Sequence, residues 1–190
     1  VKAIHDGKLE VEDLDRAVER VVEFILKSKE NKRPGYKYDR DAHHTLARRI
    51  AAESAVLLKN EGVLPLEKGS KIAVIGEFAQ KPRYQGAGSS LINPYKIDTI
   101  CGLMDETEIE YVYARGYDIK SDKPDTEMIA EAKKTASSVD RVVIIAGLPD
   151  IYESEGFDRG HLRMPEAHNV LIEEIASVNP NTVVVLMNGA

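Results

Sequence analysis

The chain contains no tryptophan, one cysteine and three phenylalanines among 190 residues. A single thiol excludes an internal disulfide. Cys101, between Ile100 and Gly102 with Leu103 and Met104 following, reads as a small core residue, since no His/Asn context of a catalytic cysteine accompanies it. No run approaches the roughly 18 consecutive apolar residues of a membrane helix. The first residues, Val1-Lys2-Ala3-Ile4-His5-Asp6, hold neither a charged n-region nor an apolar h-region. A membrane is therefore not an expected partner. Nor is there a basic stripe: 26 basic and 32 acidic residues are well mixed and leave a net charge of −6, which argues against a nucleic-acid surface. The five histidines, His5, His43, His44, His161 and His168, show no paired spacing with Cys or carboxylates, so no metal is expected.

What is present is apolar patterning. A hydrophobic content of 43% is enough for a real core. Residues 1–28 read as helix: after Gly7, Leu9, Val11, Leu14, Ala17, Val18, Val21, Val22 and Ile25 recur at three and four, and charged residues fill the other face. Residues 29–39 are polar, contain Pro34-Gly35 and lack periodicity, which makes them a linker. A long helix is predicted over 41–58, with Asp39 or Asp41 as N-cap and Asn60 or Gly62 available for a left-handed stop.

Beyond that point strands and helices alternate. Residues 71–76 (KIAVIG) form an unalternating β-branched run, the pattern of a strand covered on both faces. A short helix near 97–104, a weaker strand over 108–113 and a helix over 125–138 lead to the strongest strand, 142–146. A helix over 165–178, with Pro165 in its first turn and Glu166 at the positive end of its dipole, precedes a last buried strand at 182–187. The expected fold is α/β, a mostly parallel sheet with helices on both faces. The sequence opens without Met, in a helical pattern, and stops just after a strand-like run, so both ends read as cut from something longer.

Two loops carry candidate chemistry. Gly86, Gly88, Ser89 and Ser90 suggest a nucleotide fingerprint, but they lie ten residues past the strand, no third Gly follows, and Asn93-Pro94 stops a helix from starting there. No Gly-Lys-Ser/Thr triplet occurs either, so a tight loop that permits close backbone approach is the better reading. No cofactor is expected. The second loop, Ile151 to Arg159, puts Glu153, Glu155 and Asp158 directly after the strongest strand. Loops at the carboxyl ends of parallel strands are where open α/β sheets place their chemistry, and a positioned carboxyl group can act as general acid.

Taken in order, Asp6-Gly7-Lys8-Leu9, residues 51–60 (AAESAVLLKN), Leu64-Pro65-Leu66, residues 72–76 (IAVIG), residues 86–90 (GAGSS) and residues 154–159 (SEGFDR) before Leu162-Arg163-Met164-Pro165 resemble glycoside hydrolase family 3. The likeness spans nearly the whole chain and is nearest to the bacterial β-glucosidase-type members. It implies a TIM-type barrel followed by an α/β sandwich. Residues 1–28 would be the terminal barrel helix, 29–40 the interdomain linker, and 41–190 the sandwich domain, C-terminally incomplete.

The same resemblance implies a retaining, exo-acting β-glycosidase with two carboxyl groups. An Asp nucleophile would come from a barrel that this chain does not contain, and the acid/base from the sandwich loop. Glu155, immediately before Gly156-Phe157-Asp158-Arg159, matches the acid/base position, with Glu153 as the alternative. Asp158 and Arg159 would anchor the loop through charge-assisted hydrogen bonds, and Gly86, Gly88 and Ser89 would lie at the seam between domains. The implied partners are a small β-glucoside or oligosaccharide and the barrel. With the nucleophile's charge absent, Glu155 should titrate more normally than in the intact enzyme, and the chain alone should be inactive. Two readings from other classes stand beside this one: a Rossmann-like module binding an anionic ligand or nucleotide at residues 86–90, and a non-catalytic interaction domain using the apolar stripe of 9–25.

Overall fold

A computed structural model describes residues 1–107, 109–156 and 158–189. Glu108, which opens the predicted second strand, the aromatic Phe157 of the SEGFDR motif, and Ala190 lie outside the described residues. The chain divides into two compact units, 1–49 and 50–190.

The first unit is helical. α1 (Lys2–His5) ends where Gly7 takes φ +66°, and α2 (Val11–Glu30) follows, so the single helix expected over 1–28 is broken at residues 6–10. Only a residue without Cβ enters that left-handed conformation at low cost. Asn31 Nδ2 donates to the Lys27 carbonyl at 2.8 Å and closes α2. α3 (Arg40–Glu53) begins where Asp39 Oδ1 accepts from the Ala42 N–H at 2.9 Å, which makes Asp39 the cap. The helix stops at Glu53, short of the expected 58. Val56, Leu57 and Leu58 are exposed, so no burial repays extending the helix over them. Gly62 does take a left-handed φ of +91°, but in a separate turn built on Asn60, whose Oδ1 accepts from Gly62 and Leu64 N–H.

The second unit holds a four-stranded parallel sheet in the order β2-β1-β3-β4. Its strands are β1 (Ile72–Ile75), β2 (Tyr111–Ala114), β3 (Arg141–Gly147) and β4 (Thr182–Met187). All four residues of β1 are buried, as are Val142 and Ile144–Ala146 of β3. Central strands covered on both faces need continuous apolar runs, and this explains the unalternating pattern. α4 (Ile100–Asp105) links β1 to β2, α5 (Thr126–Ala136) links β2 to β3, and α6 (Glu166–Val178) links β3 to β4.

The first of these connections runs one way along the sheet and the other two run back. Right-handed crossovers therefore put α4 on one face and α5 with α6 on the other. α5 and α6 pack on each other accordingly. Leu171 and Ile175 of α6, Ala132 and Ala136 of α5, and Cys101 of α4 enter the core.

The last strand departs from expectation. Instead of being buried, β4 leaves Val184, Val185 and Leu186 exposed. It pairs only with β3 among the described strands.

Candidate active site

The order of the sheet reverses between β1 and β3, the topological position at which open α/β sheets place their ligand crevice. Gly76 ends β1 with φ +123°, and a Cβ at that position would lie 2.1 Å from the Ile145 carbonyl oxygen of β3. The backbones thus meet closely at the base of the crevice. From this point the chain enters a 3₁₀ turn at Glu77–Ala79, then Arg83, then a second 3₁₀ turn at Gly88–Ser90. After β3 the chain passes buried Leu148 and enters the acidic loop.

Arg83 ties the two segments together. Its Nη1 donates to the Leu148 carbonyl at 2.5 Å and its Nη2 to the Glu153 carbonyl at 2.8 Å. The same guanidinium pairs with Asp150 at 3.7 Å and with the Glu153 carboxylate at 3.5 Å, while its side chain is only 11% exposed. Glu153 also lies over Gly189, where a Cβ would come within 2.7 Å of its Oε1. Farther along, the Tyr152 hydroxyl bonds Asp122, and burial together with that carboxylate pushes the phenol up to about 12. Asp122 in turn accepts the Glu166 N–H at 2.6 Å and so caps α6 from a distant loop.

Glu155 is exposed and reaches across to the glycine-containing turn. Ser89 N–H donates to its Oε2 at 2.5 Å. The Ser89 hydroxyl is a second partner, and these two bonds hold the carboxyl group below the usual glutamate range. The shift is below the ordinary range and not above it: hydrogen bonds to the charged form, absent from any reading of the loop alone, favour ionisation. Nor do Asp150 and Glu153 crowd Glu155 electrostatically, since both face Arg83. A Cβ on Gly88 would sit 2.7 Å from Glu155 Cβ, so the side chain lies directly over that glycine.

Of the other anticipated residues, Gly86 packs beside Ser90, where a Cβ would meet its Oγ at 2.7 Å. Asp158 is exposed and, with Ile151, Tyr152, Arg159, Gly160 and His161, lines a shallow groove. Arg159 donates to the Arg163 carbonyl at 3.0 Å. Arg83, Tyr152 and Asp122 were not anticipated. Arg83 acts on residues 65 and 70 positions away, and no local spacing signals such a contact. Among the described residues there is no group of three or more His, Cys, Asp or Glu able to hold a metal ion.

The chain is 53% identical to thermostable β-glucosidase B of Acetivibrio thermocellus and 40% identical to an exo-α-(1→6)-L-arabinopyranosidase of Bifidobacterium breve. All of this chain aligns in both cases, with 26% and 27% of those proteins. The crystal structure of a family 3 β-glucosidase from Bifidobacterium adolescentis superposes on the whole chain with a TM-score of 0.92 at 40% identity, over 28% of its own length. A β-glucosidase 3B from Thermotoga neapolitana shares the fold at a TM-score of 0.77 and 24% identity. The chain thus spans about a quarter of the length of the curated relatives it matches. The model of the glycosyl hydrolase family 3 C-terminal domain matches residues 55–190, and the chain belongs to that family.

Proposed function

We propose that this chain supplies the general acid/base, Glu155, of a retaining exo-acting β-glycosidase that hydrolyses small β-linked glucosides, and that the nucleophile is an Asp on a barrel outside these residues. The observation that carries the reading is the placement of Glu155. It is an exposed carboxylate on the loop leaving β3, at the point where the order of the sheet reverses, in a segment spanned by the family match. Supporting Glu155 over Glu153 is the engagement of Glu153 by Arg83 and its packing against Gly189. A β-glucoside is favoured because the relative at 53% identity and the structure at 40% are both β-glucosidases.

In this reading the barrel carboxylate attacks the anomeric carbon while Glu155 protonates the departing oxygen. Glu155 then takes a proton from the water that releases the sugar. Retention requires the two carboxyl groups roughly 5–5.5 Å apart, so the loop must stand over the barrel mouth. Ser89 favours the ionised form of Glu155, which suits the second step. Protonation for the first step comes from the negative charge of the nucleophile once the two carboxyl groups face each other.

The test is Glu155→Gln in the intact enzyme. Turnover of glucosides with poor leaving groups should fall by about 10²–10⁴-fold, while activated aryl glucosides still form the glycosyl-enzyme and azide restores their turnover. Equal losses on both substrate classes, or the leaving-group signature appearing in Glu153→Gln instead, would remove Glu155 from the role. The 190-residue chain alone should show no hydrolysis.

A further inference from the structure

We propose that Arg83 and Ser89, both on the segment that follows β1, are positioning residues for Glu155: Arg83 fixes the base of the acidic loop and Ser89 fixes the carboxylate at its tip. The catalytic consequence rests on the acid/base reading of Glu155, whereas the brace itself is a property of this chain.

Three features of the geometry carry the inference. First, Arg83 is largely buried and donates to two main-chain carbonyls, Leu148 and Glu153, that bracket the first turn of the loop. A planar guanidinium spans two such acceptors in a fixed fork, which a lysine ammonium cannot reproduce. Second, the Glu155 carboxylate is held by the Ser89 N–H and hydroxyl although the residue is exposed. A long exposed side chain otherwise samples many rotamers. Third, Gly88 has φ +83° and no Cβ, and only that absence lets Glu155 lie across it. One short stretch after β1 therefore grips the loop after β3 at its base and at its tip.

The charges around Glu155 are arranged consistently. Asp150 and Glu153 on its own loop face Arg83, Asp158 and Arg159 follow beyond Gly156, and Ser89 on the opposing segment is the group that meets the carboxylate. Removing the Ser89 hydroxyl should therefore raise the titration of Glu155 without another charge compensating.

Two arms test this. In the 190-residue chain, ¹³C NMR of the Glu155 carboxyl group should give a midpoint below that of an ordinary glutamate, moved upward in Ser89→Ala and in Gly88→Ala. An unmoved midpoint in Ser89→Ala overturns the brace, whatever the catalytic role of Glu155, and Ser89→Ala is mild enough to keep the fold. In the intact enzyme, Arg83→Ala should lower kcat on poor leaving groups by about 10²-fold, the cost of misplacing a catalytic group by an ångström. Added guanidinium should restore part of that loss, and Arg83→Lys should not. Ser89→Ala should move the alkaline limb of kcat/KM to higher pH. Equal losses on poor and activated leaving groups, without guanidinium rescue, would reduce Arg83 to a structural residue and overturn its half of the proposal. If instead Glu155→Gln lacks the leaving-group signature, the acid/base reading fails while the titration arm still decides the brace.

Discussion

The Tyr117 hydroxyl donates to the Ile145 carbonyl at 2.6 Å and accepts from the Phe78 N–H at 3.2 Å, so one phenol bridges the carboxyl ends of β1 and β3 at the base of the crevice. Tyr117 is fully buried, and burial pushes its phenol far above the ordinary range, which keeps it protonated as a donor. It stacks at a tilt on His168, 3.9 Å between ring centroids, and meets Phe78 edge-on.

Tyr117→Phe should leave the Ile145 carbonyl and the Phe78 N–H unpartnered in a dry site. A loss of about 1–3 kcal/mol is expected. Urea unfolding followed by circular dichroism measures it, and an unchanged midpoint would show that water or a backbone shift satisfies both groups.

His168 predicts a dependence of stability on pH. Burial holds this imidazole down to about 4, and its Nδ1 accepts the Gly147 N–H at 3.3 Å, which requires that nitrogen to be unprotonated. In the unfolded chain it takes a proton near the ordinary value of 6.5. Between those values the unfolded state binds more protons, so stability is full above about 6.5 and declines as pH falls toward 4. Its contribution is on the order of 3 kcal/mol. His168→Leu should flatten that part of the stability profile, as read from urea midpoints at pH 7 and pH 4.5.

Glu77 behaves in the opposite sense of charge. Burial would raise its carboxyl group, but Lys81, the Ile119 N–H and Arg115 outweigh it and the net shift is downward. Its Oε2 accepts from Arg115 at 2.8 Å and from the Ile119 N–H at 3.0 Å, and its Oε1 from Lys81 at 2.7 Å. The stability it contributes is present above the ordinary value of 4.5 and is lost as pH falls through the lowered one. Glu77→Gln should cost about 1–3 kcal/mol at pH 7, with the gap to the parent closing in acid.

Gly76→Ala should be the most damaging of these substitutions. The added Cβ would meet the Ile145 oxygen at 2.1 Å, at a φ of +123° that L side chains rarely adopt. A loss of about 3 kcal/mol or more is expected, because backbone rather than a flexible side chain has to yield. Thermal unfolding of the purified variant, compared with the parent, decides it.

Much of the architecture was legible because it is local. The buried run at 72–75 announced β1, the helix expected over 125–138 is α5 (Thr126–Ala136), and Cys101 packs in the core. Two of the departures share a cause. β4 reads as buried, and the helix after Asp39 as continuing to 58, because apolar sequence alone says nothing about whether a neighbouring surface exists to cover it. At the candidate site the acidic loop and the glycine-containing turn were each visible, but their contact was not.

The sequence by itself determined the alternation of strands and helices, the parallel sheet and the presence of a carboxylate loop after β3, since periodicity and burial on both faces act over a few neighbouring residues. Only the tertiary structure decided that Arg83 and Ser89 grip that loop, with Ser89 meeting Glu155 across 66 residues of chain. Hydrogen bonds at that separation depend on where the sheet order reverses and brings two loops together, and no window of residues carries that information.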